Sequence, residues 1–593
     1  MDHSRQSFDT RRSPLSLLGR RTAILAATVA VTTVTWAHAA SLSTSQFAEP
    51  LTQEYSLAGS YLSGRSALQA QDLGHAAEFF ERALRLDPDN YYLQDRTFVM
   101  ALADGNFDRA QPLIDRLLEN DRDHFLAHFF KSAKALKARD YTQAIEALDG
   151  GDINPLSRLT FAIMAAWAEA GRGNTDKGVE ILSTVEGPNW FELFTSFNAG
   201  LILEAADRRA EALDYYEEAY GADPGALRIT NAYARALAAN ARQQEAFEVL
   251  DAYEQLVPNH PLLVATRDKI TSGGTVDPLV TTPAEGVAEA LYGLGSAISR
   301  DGEELSAVYL QTSRYLDEDL DAAAIALGTL FDQLGNNARA IEYLDSVDPA
   351  SPMKREAEIQ IGLHYNVLDD LEQARAHLED LVKEDPSDLE AVTALGNVLR
   401  SHSLFEEAEA AYSAGISTLD EVKRQNWPLL YFRGITLERQ DKWDQAEADF
   451  RKVLDLYPDQ PMVLNYLGYS LVDRGMKLEE ALEMIKTAVR LRPTDGYIVD
   501  SLGWVYYRLG RYEEAVSQLE RAVALRPQDP ILNDHLGDAY WKVGRKLEAR
   551  FKWNHARDLE PEPDHLEKIL DKIANGMPED DGTLSIGQNS NER

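Results

Sequence analysis

The chain has 593 residues, no cysteine, and 97 Asp and Glu against 59 Lys and Arg, which gives a formal net charge of −38. This charge has the wrong sign for binding along nucleic acid phosphates or an anionic membrane surface, so we expect neither as a partner. The absence of cysteine excludes disulfides, cysteine nucleophiles, cysteine-ligated zinc and lipid attachment through a thiol.

The amino-terminal segment has the pattern of an export signal. Two arginine pairs precede the uncharged run TAILAATVAVTTVTWAHA, which ends in small residues suited to cleavage after Ala39. We therefore interpret residues 1–39 as a signal peptide, followed by a leader at 40–56, and expect a periplasmic or otherwise exported protein. One alternative is an uncleaved segment that anchors the chain to the inner membrane, although the run is short for a span. Another is a twin-arginine signal, which the arginine pairs match poorly.

A period of 34 residues runs through most of the remaining chain. Its most regular position is a small residue, found at Ala76, Ala110, Ala144, Gly178, Ala212, Ala246, Ala307, Ala340, Ala374, Ala408, Ala446, Ala481, Ala515 and Ala549. A second small position, usually glycine, lies twelve residues earlier, and proline often stands twelve residues later, where it ends a helix. Turn glycines such as Gly510 and Gly544 lie between the two small positions. Each unit is thus predicted to be two closely packed helices joined by a tight turn.

This pattern resembles the tetratricopeptide repeat, whose signature is W-x2-L-G-x2-Y, then A-x3-F, then a helix-ending proline. Two consecutive units match it in register through Leu502, Gly503, Tyr506, Ala515, Leu519 and Pro527, and through Leu536, Gly537, Tyr540, Ala549, Trp553 and Pro561. Fourteen units in phase predict an all-α fold, a right-handed superhelical solenoid of helix-turn-helix repeats in two segments. The resemblance implies a concave groove that binds a segment of another protein.

The repeats and their interruptions predict the domain organisation. We place a first array of about six repeats at 57–260, a linker or hinge at 261–286, and a second array of about eight repeats at 287–563. The glycine- and proline-containing stretch TSGGTVDPLVTTPAEG could be a hinge, a packed corner or a plain surface loop. A capping helix is expected at 564–576 and a disordered acidic and polar tail at 577–593.

Motifs of enzymes and cofactor sites are missing from the sequence. It contains no phosphate-binding loop, no G-x-S-x-G elbow and no H-E-x-x-H, so we expect no catalytic residues, no cofactor and no metal. His124 and His128 have the spacing of metal ligands on a helix. A metal site would need a third ligand held nearby, so we interpret both as surface or packing residues.

The last three repeats carry the candidate binding site. First-helix residues that point away from the packing Leu, Gly and Tyr are predicted to face the groove, and those chosen as protein-binding are Tyr469, Tyr497, Asp500, Trp504, Tyr507, Asp534, Asp538 and Trp541. An aromatic strip rimmed by carboxylates is typical of a binding hot spot. The carboxylates would repel a C-terminal carboxylate, so we expect a guest with apolar anchors and Lys or Arg. Alternatively, the aromatic residues pack against the next repeat or the capping helix.

Together these features favour a non-enzymatic scaffold or adaptor in the bacterial cell envelope. Length, export signal and repeat content resemble the adaptors that deliver cell-wall hydrolases to carboxyl-terminal processing proteases. The resemblance implies a periplasmic protease or an envelope assembly component as partner. Two alternatives stay open: an assembly factor for envelope or polysaccharide export, and a repeat array that regulates a small cryptic enzymatic site within 247–306.

Overall fold

The computed structural model describes residues 55–151, 154–274, 276–298 and 302–577. The predicted signal peptide, nearly all of the leader and all but one residue of the predicted tail lie outside these ranges. Every regular element within them is helical, with 31 α-helices and 3-10 turns at Gln111–Leu113 and Arg424–Asn426. Among these described helices, none combines the length and the apolar character that a membrane span requires.

The chain divides into two compact units, Met1–His377 and Leu378–Arg593. In chain order, the helices that begin in the first unit are α1 (Leu57–Gln69), α2 (Leu73–Leu86), α3 (Tyr91–Ala103), α4 (Phe107–Ala110), α5 (Ile114–Asn120), α6 (Phe125–Lys137), α7 (Tyr141–Glu146), α8 (Pro155–Gly171), α9 (Thr175–Ser183), α10 (Phe191–Ala205), α11 (Arg209–Ala222), α12 (Leu227–Ala239), α13 (Gln243–Glu254), α14 (Pro261–Thr271), α15 (Pro283–Ile298), α16 (Glu303–Leu316), α17 (Asp321–Gln333), α18 (Asn337–Asp345), α19 (Lys354–Val367) and α20 (Leu371–Glu384). Helix α20 runs across the division between the units.

The second unit continues the same alternation of helices and short turns. Its helices are α21 (Leu389–Ser401), α22 (Phe405–Ser417), α23 (Trp427–Arg439), α24 (Trp443–Leu456), α25 (Pro461–Asp473), α26 (Leu478–Leu491), α27 (Gly496–Arg508), α28 (Tyr512–Leu525), α29 (Pro530–Lys542), α30 (Lys546–Asp558) and α31 (Pro563–Asn575). The last of these lies where the capping helix was placed.

Fourteen helix pairs correspond to the fourteen predicted repeats. The small residue that marks each repeat lies on the second helix of its pair, and all thirteen alanines at this position are fully buried. The glycine on the first helix explains the close approach, because a Cβ on Gly503 would lie 2.5 Å from Cγ of Leu519. The turn glycines Gly510 and Gly544 have φ of +72° and +83°, a left-handed conformation that side chains disfavour. The predicted helix-turn-helix repeat is therefore confirmed.

The stretch predicted as a linker, 261–286, is mostly ordered and packed. Helix α14 fills its first part, α15 begins before its end, and Val280 between them is only 4% exposed. Gly286 lies against the indole of Trp167, where a Cβ would come within 2.2 Å of the ring. The described part of this stretch is thus packed against the array at Val280 and at Gly286.

After this stretch the chain returns to the earlier repeats. Helices α15 and α16 pack against α3, α6, α8 and α10, the first helices of four earlier pairs. We call the face lined by first helices the inner face. Tyr309 of α16 is fully buried there, its ring lies 5.2 Å from that of Phe129, and its hydroxyl shares a 2.8 Å hydrogen bond with Thr160. One hydrophobic core consequently runs from Leu73 to Ala340.

This continuous core places the division of the chain differently from the sequence prediction. Two segments were expected to separate at 261–286, whereas the division between the compact units falls between His377 and Leu378 along the chain. The physical reason is the return of α15 and α16, which fill the inner face of the first unit. A buried ion pair reinforces this contact, since Nε of Arg228 on α12 donates to Glu289 of α15 at 2.8 Å.

Candidate functional site: the inner cleft of the second unit

An open cleft of about 290 Å³ lies on the inner face of the second unit, among the first helices α25, α27 and α29. We call it the inner cleft, and its lining comprises Asn465, Tyr466, Tyr469, Tyr497, Asp500, Ser501, Asp529, Ile531, Leu532 and His535. Because each repeat adds one first helix beside the last, side chains distant in sequence meet on this face. Three of the eight predicted site residues, Tyr469, Tyr497 and Asp500, belong to this lining.

Of the predicted aromatic residues, Tyr469 and Tyr497 line the cleft, whereas Trp504 lies beside it against His535. The side chain of Tyr497 is 46% exposed, and the guanidinium carbon of Arg526 lies 4.5 Å from its ring centroid. Trp504 is partly buried and stacks on the imidazole of His535, with ring centroids 4.2 Å apart. Aromatic surface therefore remains available at the cleft, although less of it than an open strip would present.

Asp500 is buried and paired, not free. Its carboxylate oxygens lie 3.1 and 3.0 Å from Nδ1 of His535, and the residue is only 6% exposed. Burial alone would lower the pKa of His535. The Asp500 carboxylate, with further contributions from Asp534 and Asp538, outweighs burial and raises the pKa of His535 above its ordinary value.

The structure corrects the position of Asp534 and Asp538, which do not rim an open groove. Nζ of Lys572, on the capping helix α31, donates to Oδ2 of Asp534 at 2.8 Å and to Oδ2 of Asp538 at 2.7 Å. Nε1 of Trp553 donates to Oδ1 of Asp538 at 2.9 Å. Burial, together with the charge of Asp534, raises the pKa of Asp538 to about 6. These carboxylates fasten the capping helix to the last repeat.

Tyr507 and Trp541 also serve packing. Tyr507 is 3% exposed and stacks on Trp504 with ring centroids 4.8 Å apart. Trp541 lies against the end of the capping helix, where a Cβ on Gly576 would come within 2.4 Å of its indole. These two side chains therefore pack within the array and against the capping helix, which was the alternative stated from the sequence.

Seven of the ten lining residues were not among the predicted site residues, and the two most important for the chemistry of the cleft are His535 and Asn465. Counting groove positions along each first helix placed Asp534 on the open face and passed over its neighbour His535. A helical side chain leans toward the preceding turn, and the imidazole thereby reaches Asp500 of the preceding repeat. Asn465 was at a groove position but was not selected. Its Oδ1 is buried and has no hydrogen-bond partner within the part of the chain that the structure describes.

The two histidines with metal-ligand spacing are used in packing. Nε2 of His124 lies 3.0 Å from Oδ1 of Asp95, and its Nδ1 accepts from the backbone N–H of Ala127. The ring nitrogens of His128 lie 2.7 and 2.8 Å from the carbonyl oxygens of Ala147 and Arg122. Within the described ranges, no cluster of three or more potential ligands could hold a metal ion.

The helix pairs and the inner cleft define an α-helical repeat protein. Models of the tetratricopeptide repeat match residues 59–90, 101–155, 197–261, 361–420 and 433–496, and a model described as a TPR repeat matches 503–544. These stretches together make up just over half of the chain. The chain belongs to the tetratricopeptide-repeat family, whose arrays typically act as non-enzymatic scaffolds that bind protein partners.

Individual relatives are distant. A TPR repeat-containing protein of Pseudomonas aeruginosa is 30% identical over 198 residues, which are 32% of this chain and 32% of that protein. The chain thus matches about a third of the length of this curated relative. A crystal structure of a tetratricopeptide repeat protein from Parabacteroides merdae is similar at 16% identity and a TM-score of 0.37, over 43% of this chain and 99% of that one. A chain of the APC/C hetero-tetramer Cut9-Hcn1 is 14% identical with a TM-score of 0.35, over 86% and 95%.

Proposed function

We propose that the protein is a non-enzymatic adaptor that binds a segment of a partner protein in the inner cleft of the second unit. The observation that carries this proposal is Tyr497, a large aromatic side chain left 46% exposed at a cleft walled by other tyrosines. Exposed aromatic residues beside a pocket are typical anchors of protein interfaces. The inner face of the first unit is already occupied by α15 and α16 of the same chain.

The size of the cleft supports a side chain as the bound group. A volume of about 290 Å³ lies just below the range for small-molecule pockets, roughly 300–1,000 Å³. The lining comes from three successive repeats, so a segment lying along the inner face would place one anchoring side chain in the cleft and its flanks on neighbouring helices.

We propose further that this adaptor works in the bacterial cell envelope, with a carboxyl-terminal processing protease or an envelope assembly component as partner. The location is supported by the amino-terminal sequence, with arginine pairs, an uncharged run and a small-residue cleavage site, and the partner is proposed from the resemblance in length, export signal and repeat content. A reporter that is active only after export, fused after residue 45, tests the location. The matched control is the same fusion without residues 1–39, and equal reporter activity in both fusions would refute export.

Photo-crosslinking in cells tests partner binding at the inner cleft. A photoreactive phenylalanine derivative at Tyr497 keeps an aromatic ring at the exposed position, and the control places it at Leu547 on α30, which is 83% exposed. We expect a discrete, light-dependent adduct from position 497 that is absent from position 547. Absence of any adduct at 497, or the same adducts from both positions, would refute the proposed site.

A further inference from the structure

The inner cleft contains an acceptor that the fold leaves unused. Among the described residues, Oδ1 of Asn465 on α25 is buried without a hydrogen-bond partner, an arrangement that destabilises a protein unless a water or a ligand supplies a donor. Asp500 of α27 lines the same cleft and adds a carboxylate. Asn465 and Asp500, which lie on adjacent first helices and both carry oxygen acceptors, therefore line the same small cleft.

The walls of the cleft favour a cation between these acceptors. Tyr466, Tyr469 and Tyr497 provide aromatic surface, whose faces attract cations. Burial, followed by the charges of Asp500 and Asp473, raises the pKa of Tyr469 to about 12. Burial is the main cause of this shift, and the two carboxylates add a smaller contribution of negative potential at the cleft wall.

We propose that the inner cleft binds the cationic side chain of a Lys or Arg from the partner segment, held by Asn465 Oδ1 and the Asp500 carboxylate. The inference rests on the proposed function, since it specifies the anchor by which a partner would be held. Ammonium and guanidinium groups carry only donors, which matches a pocket that offers an unused amide oxygen and a carboxylate. A carboxylate anchor would meet repulsion from Asp500.

His535 links this binding to pH. The imidazole faces Asp500 from α27 and stacks on Trp504, while Asp534 and Asp538 of its own helix are held by Lys572 from α31. A protonated imidazole offsets the Asp500 charge that a bound cation would use. Affinity for a cation should therefore rise as pH increases through the pKa of His535, and a bound cation should in turn favour the neutral ring.

The test uses isolated side-chain analogues on the full chain. The probes are n-butylguanidinium and n-butylammonium, with the neutral isostere n-butylurea as control. Binding is followed by the ring resonances of His535, assigned with the variant His535→Gln, and by the indole N–H of Trp504. We expect these resonances to shift saturably as a cation is added and not to shift with the urea. Tighter binding of the guanidinium would indicate an Arg anchor, and tighter binding of the ammonium a Lys anchor. No saturable shift from either cation, or equal shifts from the urea, would overturn the inference.

Two variants locate the binding. Asp500→Asn keeps an acceptor for His535 but removes the charge, and it should weaken cation binding at least about fivefold. Asp455→Asn makes the same charge change at an exposed position of α24 outside the cleft and should leave binding unchanged. If Asp500→Asn perturbs folding, the pH series on the unmodified chain decides instead. Binding should be stronger at about pH 8.5 than at about pH 6, and equal binding would count against the inference.

The two proposals can fail separately. If position 497 crosslinks to a partner but neither cation binds, the adaptor function stands and the cationic anchor is refuted. If the cations bind but position 497 crosslinks to nothing, the pocket is real and the adaptor function is refuted.

Discussion

Replacing Lys572 with Met should release the capping helix from the last repeat. Lys572 is 19% exposed, and its ammonium bridges Asp534 and Asp538, whose side chains are 10% and 4% exposed. Methionine retains the apolar stem of the side chain but leaves two buried carboxylates facing each other. The loss of stability should therefore result from the missing charge and not from a change in packing volume.

The structure gives both the magnitude and the pH dependence of this loss. Removing one partner of a buried ion pair typically costs about 3–5 kcal/mol, and we expect about 3 kcal/mol here at neutral pH. The pKa of Asp538 is already raised to about 6 by burial and Asp534, and removing Lys572 raises it further. Stability from a raised carboxyl pKa is present at low pH and is lost as pH rises through the folded pKa. The variant should therefore be least impaired near about pH 5.

Hydrogen exchange measured by mass spectrometry is the suitable assay, because repeat arrays need not unfold in one step. At about pH 7.5, peptides from α31 should lose about a hundredfold of protection, and the loss should shrink at about pH 5 after correction for intrinsic exchange. Lys568→Met, at an exposed position one turn earlier on α31, is the matched control. Protection within threefold of the parent chain, or a loss independent of pH, would refute the reasoning.

Three further predictions concern other parts of the fold. Gly503→Ala should destabilise the second unit by about 1–3 kcal/mol, because its Cβ would lie 2.5 Å from Leu519; urea unfolding followed by circular dichroism measures this, and unchanged stability would contradict it. Glu289→Leu should leave Arg228 without its ion-pair partner and lower the free energy of unfolding by about 3 kcal/mol. Hydrogen exchange should then become faster in α12 and α15 but not in α29. Because the pKa of His535 is raised, protonation of this residue should stabilise the second unit below about pH 6.5, and the stabilisation should disappear as pH rises through the folded pKa. Unfolding measured as a function of pH should show this contribution in the unmodified chain but not in His535→Gln.

The helix pairs were predictable because the contacts that define them are local. Close packing of neighbouring helices requires a small residue at fixed spacing, and residues such as Ala515 and Ala549 have zero exposure for this reason. The turn glycines follow from the same local geometry. A period of 34 residues thus contains most of the information about each repeat.

The return of α15 and α16 could not be read from the period. It depends on contacts between residues far apart in sequence, such as Tyr309 with Phe129 and Thr160, and no repeat position marks these residues as partners. Glycine and proline in the stretch before α15 indicated an interruption. Whether an interruption flexes or packs is decided by the surface it meets, here the indole of Trp167 beside Gly286.

The sequence contained less information about the candidate site than about the repeats. Position along the first helix predicted eight groove residues, and three of them, Tyr469, Tyr497 and Asp500, line the cleft. It could not show that Lys572 of the capping helix reaches back to neutralise Asp534, because that contact joins the last repeat to a helix outside the repeat pattern. Of the three predicted carboxylates, the one that lines the cleft is Asp500, which is paired with His535.

The central claim is that a partner segment is held at the inner cleft of the second unit. The most direct measurement is isothermal titration calorimetry with the purified partner that crosslinking identifies. It compares the affinity of this partner for the unmodified chain, for Tyr497→Ala and for Leu547→Ala. Both substitutions truncate exposed side chains, so neither should disturb the fold. We predict that Tyr497→Ala weakens binding at least about tenfold, as expected for an aromatic anchor, and that Leu547→Ala leaves it unchanged. Equal affinity of all three chains would contradict the account.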